Sequence, residues 1–317
     1  MTNPAKTLPR VALAGGATPT TCAALADRLA PISRVAVTRR AVLALTLTPP
    51  IVAQAQPPPV VVASFSILGD FVRQLAPGAS LRVLLPPEAD PHDVAPRPAD
   101  AVALRGAALV VRNGLGLEPW LDRLLRGSPL RGALVTASDG WPPRLVNGLA
   151  DPHAWLDPLA ARHYARRIGS ALASAVPAQA LLIEAATAGY LDQLAALDAW
   201  VATQFASVPA ERRVFVTGHA GFGYYAARYG LEALAAPPQR SGQLAALLRQ
   251  VRSRRLLALF TTGPEDAGLM RRVAAEAGVT LRGRLYAETL SPPDGPAADY
   301  LALMRHNTAL LVAGMLA

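Results

Sequence analysis

The sequence predicts an α/β protein of two lobes, each built on a mainly parallel sheet, joined by one long rigid helix. Strand-like and helix-like segments alternate from Val60 onward, one apolar stripe from Pro177 to Val208 interrupts them, and the alternation resumes past Pro209. A chain of 317 residues has room for two such lobes. The division read from these features is a leader at 1–55, an N-terminal lobe at 56–176, a linking helix at 177–208 and a C-terminal lobe at 209–317.

The leader carries Thr38-Arg39-Arg40, an apolar run from Ala41 to Ala53, and Ala53-Gln54-Ala55 before a proline cluster. A basic start, a short apolar centre and a small-x-small end describe a secretory signal, and the paired arginines point to the twin-arginine route. A membrane anchor or a buried helix is the plainer reading, but the run is short and contains Pro49-Pro50. Cys22 lacks the neighbours of a lipid-attachment site, so a soluble periplasmic protein is expected.

The formal charge of +9 raises nucleic acid as a partner. Six of the 31 Lys and Arg but only one of the 22 Asp and Glu fall in residues 1–55, so much of that excess leaves with the leader. No arginine cluster is interleaved with aromatics, and nucleic-acid binding is not expected. Lys6 is the only lysine and Cys22 the only cysteine. The mature chain therefore has no Walker-A lysine, Schiff-base lysine, disulfide or thiolate ligand. Strong chemistry is left to His, Asp, Glu and hydroxyls.

In chain order, Val60 to Phe65 reads as a buried strand, Ile67 to Leu75 as a helix, and Leu81 to Leu85 as the next strand. His92 follows in a proline-rich loop. Pro98 to Arg105 is helical, Ala107 to Arg112 a strand, Pro119 to Leu125 a helix and Ala133 to Thr136 a strand, with His153 in the loop beyond. Asn113-Gly114-Leu115-Gly116 lacks the third glycine of a dinucleotide fingerprint. Leu159 to Ala175 closes the lobe. Ile183, Ala186, Tyr190, Leu194, Leu197, Val201 and Phe205 then mark one helical stripe, with too few flanking charges for a coiled-coil oligomer, so a monomer is expected. Arg213 to Thr217 is a strand with His219 just past its end. Phe222 to Tyr229, Ser241 to Arg252, Pro264 to Ala277 and Asp299 to Met315 are helices. Leu256 to Thr261 and Val279 to Tyr286 are strands, the last followed by Glu288.

Asp90-Pro91-His92 recurs as Asp151-Pro152-His153 in a chain with five histidines. His92, His219 and Glu288 follow strand ends, the edge of an open α/β sheet where ligands bind, and His153 lies in a loop of the same lobe as His92. Three imidazoles and one carboxylate around a point describe a divalent metal site, His92, His153, His219 and Glu288, with Asp294 the substitute for Glu288. Asp90, Asp93, Asp151 and Asp157 could accept the second imidazole N–H. His163 and His306, inside helices, are left as surface or packing residues.

The chain from Val60 onward resembles the zinc and manganese solute-binding proteins of ABC importers, the TroA-like and ZnuA-like group. The resemblance lies in Val62 to Asp70, Asp90-Pro91-His92, Asn113 to Glu118, Asp151 to Pro158 and Leu285 to Pro296. It implies two α/β lobes on a long helix, ligands at His92, His153, His219 and Glu288, and a membrane permease with its ATPase as partners. The group generally carries aspartate where Glu288 stands. Ala235 to Ser241 looks shortened, Phe260-Thr261-Thr262-Gly263 lacks an expected acidic neighbour, and no histidine-rich loop separates His92 from His153.

The leading expectation is a periplasmic carrier, not an enzyme, that captures a divalent metal. Three imidazoles rank Zn2+ above Mn2+ or Fe2+. The alternatives are an exported zinc metalloenzyme with Glu288 as general base, and a metal-binding or adhesion protein without a transport role on the same scaffold.

Overall fold

The β-branched run after Pro59 opens strand β1 (Val60–Phe65), which runs directly into helix α1 (Ser66–Leu75). Then follow β2 (Ser80–Leu85), α2 (Pro98–Gly106), β3 (Leu109–Arg112), α3 (Pro119–Gly127) and β4 (Ala133–Thr136). The computed structural model describes residues 59–92, 94–236 and 241–317. The expected signal segment with Cys22, Arg39 and Arg40, together with Asp93 and Pro237 to Arg240, lies outside the described residues.

The four strands form one parallel sheet in the order β2-β1-β3-β4. β1 is central and nearly all buried, as a parallel strand covered on both faces should be. After β4 comes a two-stranded hairpin, β5 (Leu145–Val146) and β6 (Leu149–Ala150), absent from the expectation. Its turn is Asn147-Gly148, both at positive φ (52° and 81°), the residue pair such tight turns favour. α4 (Pro158–Ala175) completes the lobe, with Asp157 Oδ1 accepting the Leu159 N–H at 2.8 Å.

The linking helix α5 spans Ala180–Ala206, preceded by a 3-10 turn at Pro177–Gln179. At about 1.5 Å per residue it is roughly 40 Å long. Its buried stripe is Ile183, Tyr190, Leu194, Leu197, Val201 and Phe205, with Ala186 half-buried. α5 lies along α4 and α1 of the first lobe.

The second lobe contains β7 (Val214–Thr217), α6 (Gly223–Tyr229), β8 (Glu232–Ala235), α7 (Ser241–Ser253), β9 (Leu259–Phe260), α8 (Pro264–Ala277) and α9 (Tyr300–Leu316). Its parallel sheet has the order β8-β7-β9. Alanine-rich β8 has weak strand propensity and forms because it pairs with β7, so it left little trace in the sequence. The expected strand at Val279 to Tyr286 reduces to one parallel bridge, Thr261 to Arg284. The Arg282 and Leu285 N–H groups donate to the Leu259 and Thr261 carbonyls at 2.8 and 2.9 Å, and the Thr261 N–H donates to the Gly283 carbonyl at 3.1 Å. At the end of this segment Asn307 of α9 accepts the Tyr286 N–H at 2.8 Å and donates to the Tyr286 carbonyl at 2.6 Å.

Gln56–Ala317 behaves as one compact unit because the lobes share a core. Phe71 of α1 packs on Tyr190 of α5 (centroids 5.6 Å) and Tyr300 of α9 (5.2 Å). Further along α5, Phe205 packs on Tyr225 and Tyr229 of α6 at 6.0 and 5.9 Å. α9 also lies against α5. Among the described residues, no single helix is long and apolar enough to cross a membrane.

The helix stripe sets a contrast on one element. Leu194→Ala, at a fully buried position, should cost about 2–5 kcal/mol in urea unfolding. Leu182→Ala, at a position 71% exposed, should stay within about 0.5 kcal/mol of the parent.

Candidate metal centre

Each Asp-Pro-His segment is held in the same way. Asp90 Oδ1 accepts the His92 N–H at 2.7 Å, and Asp151 Oδ1 accepts the His153 N–H at 3.1 Å. Each intervening proline carbonyl takes one side-chain N–H. Trp120 Nε1 donates to Pro91 O at 3.0 Å, and Asn113 Nδ2 donates to Pro152 O at 3.0 Å. Aspartate fixes the turn and a second buried donor fixes the peptide, so each imidazole leaves the backbone in one direction.

Asn113 is itself set by a tight loop. Glu118 Oε1 and Oε2 accept the Asn113 and Gly114 N–H groups at 2.8 and 3.0 Å, and Oε1 accepts Ser64 Oγ–H at 2.6 Å. Tyr164 donates to Asn113 Oδ1 at 2.7 Å. Asn113 to Glu118 therefore acts as a bracket for His153. Burial pushes the Glu118 carboxyl above its usual pKa, against the donors that oppose it.

His153 is the best-fixed imidazole. Its Nδ1 lies 2.8 Å from Asp151 Oδ1, which orients Nε2 inward. Arg144 Nη1 donates to Asp151 Oδ2 at 3.0 Å, and the Asp151 N–H donates to the Arg144 carbonyl at 2.8 Å across the unexpected hairpin. Tyr224 of the other lobe takes the Arg144 N–H at 2.7 Å and donates to the Asp151 carbonyl at 3.2 Å. The sequence carried a signal for this support: Asn147-Gly148 between two apolar pairs marks the hairpin that joins Arg144 to Asp151.

The other expected partners of the imidazoles do different work. Asp90 accepts the backbone of His92, and Asp157 caps α4 with Arg228 Nε at 3.6 Å. His219 follows β7, where Thr217 Oγ1 donates to the His219 carbonyl at 2.7 Å. Gly218 lies so close to Asp266 that a Cβ would sit 2.1 Å from its Oδ2. Asp266 also accepts the Thr262 N–H at 2.8 Å and hydroxyl at 2.6 Å.

Glu288 follows the segment pinned by Asn307, and Trp155 Nε1 donates to the adjacent Ala287 carbonyl at 2.8 Å. The structure brings His92, His153, His219 and Glu288 together, with one donor atom from each within 4.8 Å of all the others. His92 Nε2 is 3.3 Å from His153 Nε2, which is 3.2 Å from His219 Nε2. Glu288 Oε1 lies 3.1, 3.2 and 2.6 Å from the nitrogens of His92, His153 and His219. Ligand atoms about 2.0–2.2 Å from a tetrahedral zinc are roughly 3.3–3.6 Å apart, so the spacing suits one small cation as cargo. Asp294 is exposed and outside this group. His163 and His306 are also outside it, each within hydrogen-bond reach of a backbone carbonyl.

Charge in the site is shared unevenly. Burial opposes ionisation of Glu288, yet contacts with His153, His219 and His92 hold it well below the usual carboxylate range. Burial likewise opposes charging His153, but Asp151 and Glu288 outweigh it and raise its pKa. Asp151 is lowered despite burial, through His153 and Arg144. One ionised carboxylate among three imidazoles favours positive charge at their meeting point, whether protons or a metal.

Two lobes that together bring four donors to one small site have the form of a solute-binding protein. The family described as zinc-uptake complex component A, periplasmic, matches residues 61–314, and the chain belongs to this family of metal ABC-transporter solute-binding proteins. It is 30% identical over 264 residues to the manganese-binding lipoprotein MntA of Halalkalibacterium halodurans, covering 80% of this chain and 88% of the relative. It is 29% identical over 267 residues to the iron-binding protein YfeA of Yersinia pestis, covering 80% and 85%. The periplasmic zinc-binding protein TroA of Treponema pallidum superposes with a TM-score of 0.77 at 26% identity, covering 82% of this chain and 99% of that one. These relatives are metal-binding proteins, not enzymes, which removes the support for Glu288 as a hydrolytic base.

Asn307 is the least obvious support of the site. Asn307→Ala strips two buried backbone groups of their partners and should cost about 2–4 kcal/mol in urea unfolding.

Proposed function

We propose that the chain captures a divalent transition metal, Zn2+ foremost, in the periplasm and presents it to the permease and ATPase of an ABC importer. His92, His153, His219 and Glu288 are the ligands. The observation that carries this reading is the convergence of four donor atoms, one from each residue, within 4.8 Å. Two ligands come from each side of α5, so the cargo is gripped between a lobe at 56–176 and one at 209–317, with 177–208 as the link. A monomer exported through a signal in residues 1–55, by the twin-arginine route, completes the proposal.

Zinc ranks above manganese and iron because three neutral nitrogens and one carboxylate suit a borderline-soft ion with no geometric preference of its own. Manganese favours more oxygen. Relatives named for manganese, iron and zinc make the donor set of this chain the deciding feature. Calorimetry on the chain from Gln56 onward should give one zinc per protein. His153→Ala and His219→Ala should each weaken zinc binding by at least about a hundredfold, since each removes a ligand outright. Unchanged binding in both variants would refute the assignment.

Protons compete with the metal for the same nitrogens. In the metal-free protein His153 holds its proton to higher pH than an ordinary imidazole. The proton is bound without metal and lost with it, so apparent affinity is greatest above the raised His153 pKa and falls as pH drops through it. The slope should reach about tenfold per pH unit for each proton displaced. Asp151→Asn removes a carboxylate that raises the pKa, and should move the onset of the fall to lower pH. Calorimetry from pH 8 to 5 reads both slope and onset.

A further inference from the structure

Glu88 stands four residues before His92 with φ of 70°, a region that non-glycine residues seldom occupy without being held there. Its holds come from the other lobe. The Glu88 N–H donates to Thr289 Oγ1 at 2.8 Å, and Arg284 Nη1 donates to Glu88 Oε2 at 2.6 Å. Arg284 is fixed in turn: its Nε donates to the Thr262 carbonyl at 3.1 Å, and its guanidinium carbon lies 4.5 Å from the Tyr286 ring centroid. The paired side chains keep 33% and 27% of their exposure, so water screens the pair only in part.

The position gives this contact its meaning. Thr289 adjoins Glu288, and Glu88 shares a loop with His92, so the pair ties together the segments that carry two of the four converging donors. It borders a cavity of about 30 Å³ whose lining includes Asp90, Glu265 and Glu288. The other ties between the lobes described above, through Trp155, Tyr224 and Tyr300, are largely buried. The Glu88–Arg284 pair is partly exposed, as is Asp157–Arg228, and it lies at the rim of the site between the His92 loop and the Glu288 segment.

We propose that Glu88 and Arg284 form a clasp across the cleft that sets how fast metal leaves, a role that rests on metal capture by the four residues named above. His92 and Glu288 must separate for the ion to go, and separating them breaks the clasp. With the clasp broken, Glu88 also loses the contacts that hold it at positive φ. The clasp therefore acts chiefly on the release rate and leaves the set of ligands unchanged.

The test is stopped-flow release of zinc to a chelator from the chain beginning at Gln56, for the parent, Glu88→Gln, Arg284→Gln and the double variant. Each single change should speed release by about three- to tenfold, the scale of one partly buried charge-assisted contact. The double variant should release no faster than the faster single one, because both remove the same contact. Added salt should speed the parent more than Glu88→Gln. Rates within twofold of the parent in both single variants, or multiplying effects in the double variant, would overturn the clasp. Failure of the parent to bind zinc stoichiometrically would instead overturn the capture reading beneath it. Should Arg284→Gln fail to fold, Glu88→Gln and the salt comparison decide by themselves.

Discussion

Lone pairs aimed at one point repel one another unless positive charge lies between them, and the rest of this structure answers that constraint. Four donor atoms from His92, His153, His219 and Glu288 lie within 4.8 Å of one another. Side chains free to choose would turn away. Here the backbone removes the choice: aspartate turns and pinned proline carbonyls aim His92 and His153, Gly218 lets the His219 segment pass close to Asp266, and Asn307 holds the segment before Glu288. The order imposed before binding is order that the metal need not impose.

The same requirement accounts for the scaffold. Donors from two lobes keep their spacing only if the lobes keep theirs, and a core shared through α1, α5, α6 and α9 supplies that stiffness. Phe71, Tyr190 and Tyr300 meet where the first lobe, the linking helix and the last helix come together. The long helix is therefore more than a spacer: it is a wall of the common core. The family match spans residues 61–314, both lobes and the helix between them.

Much of this was legible because it depends on local pattern. Alternating strands and helices, the stripe from Ile183 to Phe205 and the repeated Asp-Pro-His segments are written in short windows of sequence. His92 and His153 could be named from their repeated tripeptide and His219 from its place beyond β7, whereas Glu288 was read from a strand at Val279 to Tyr286 that reduces to one bridge. The supports were harder to see. Asn307 and Trp120 act on segments 21 and 29 residues away, and Tyr224 acts on Arg144 at a separation of 80, so no local window contains both partners. β8 depends on its neighbour more than on its own alanine-rich sequence. The hairpin was within reach, since Asn147-Gly148 is a strong turn signal. Asp157 shows the opposite case: its nearness to His153 in sequence suggests an imidazole partner, yet its carboxylate caps the proline-led helix α4.

The central claim is that the Glu288 carboxylate belongs to the metal's own coordination shell beside three imidazoles. X-ray absorption at the zinc edge, on the chain from Gln56 onward loaded with one equivalent of zinc, reads that shell directly. The account predicts three imidazole nitrogens and one oxygen at about 2.0–2.2 Å, with the oxygen lost or its distance lengthened in Glu288→Ala. A spectrum unchanged by Glu288→Ala, with a solvent oxygen in place throughout, would contradict it.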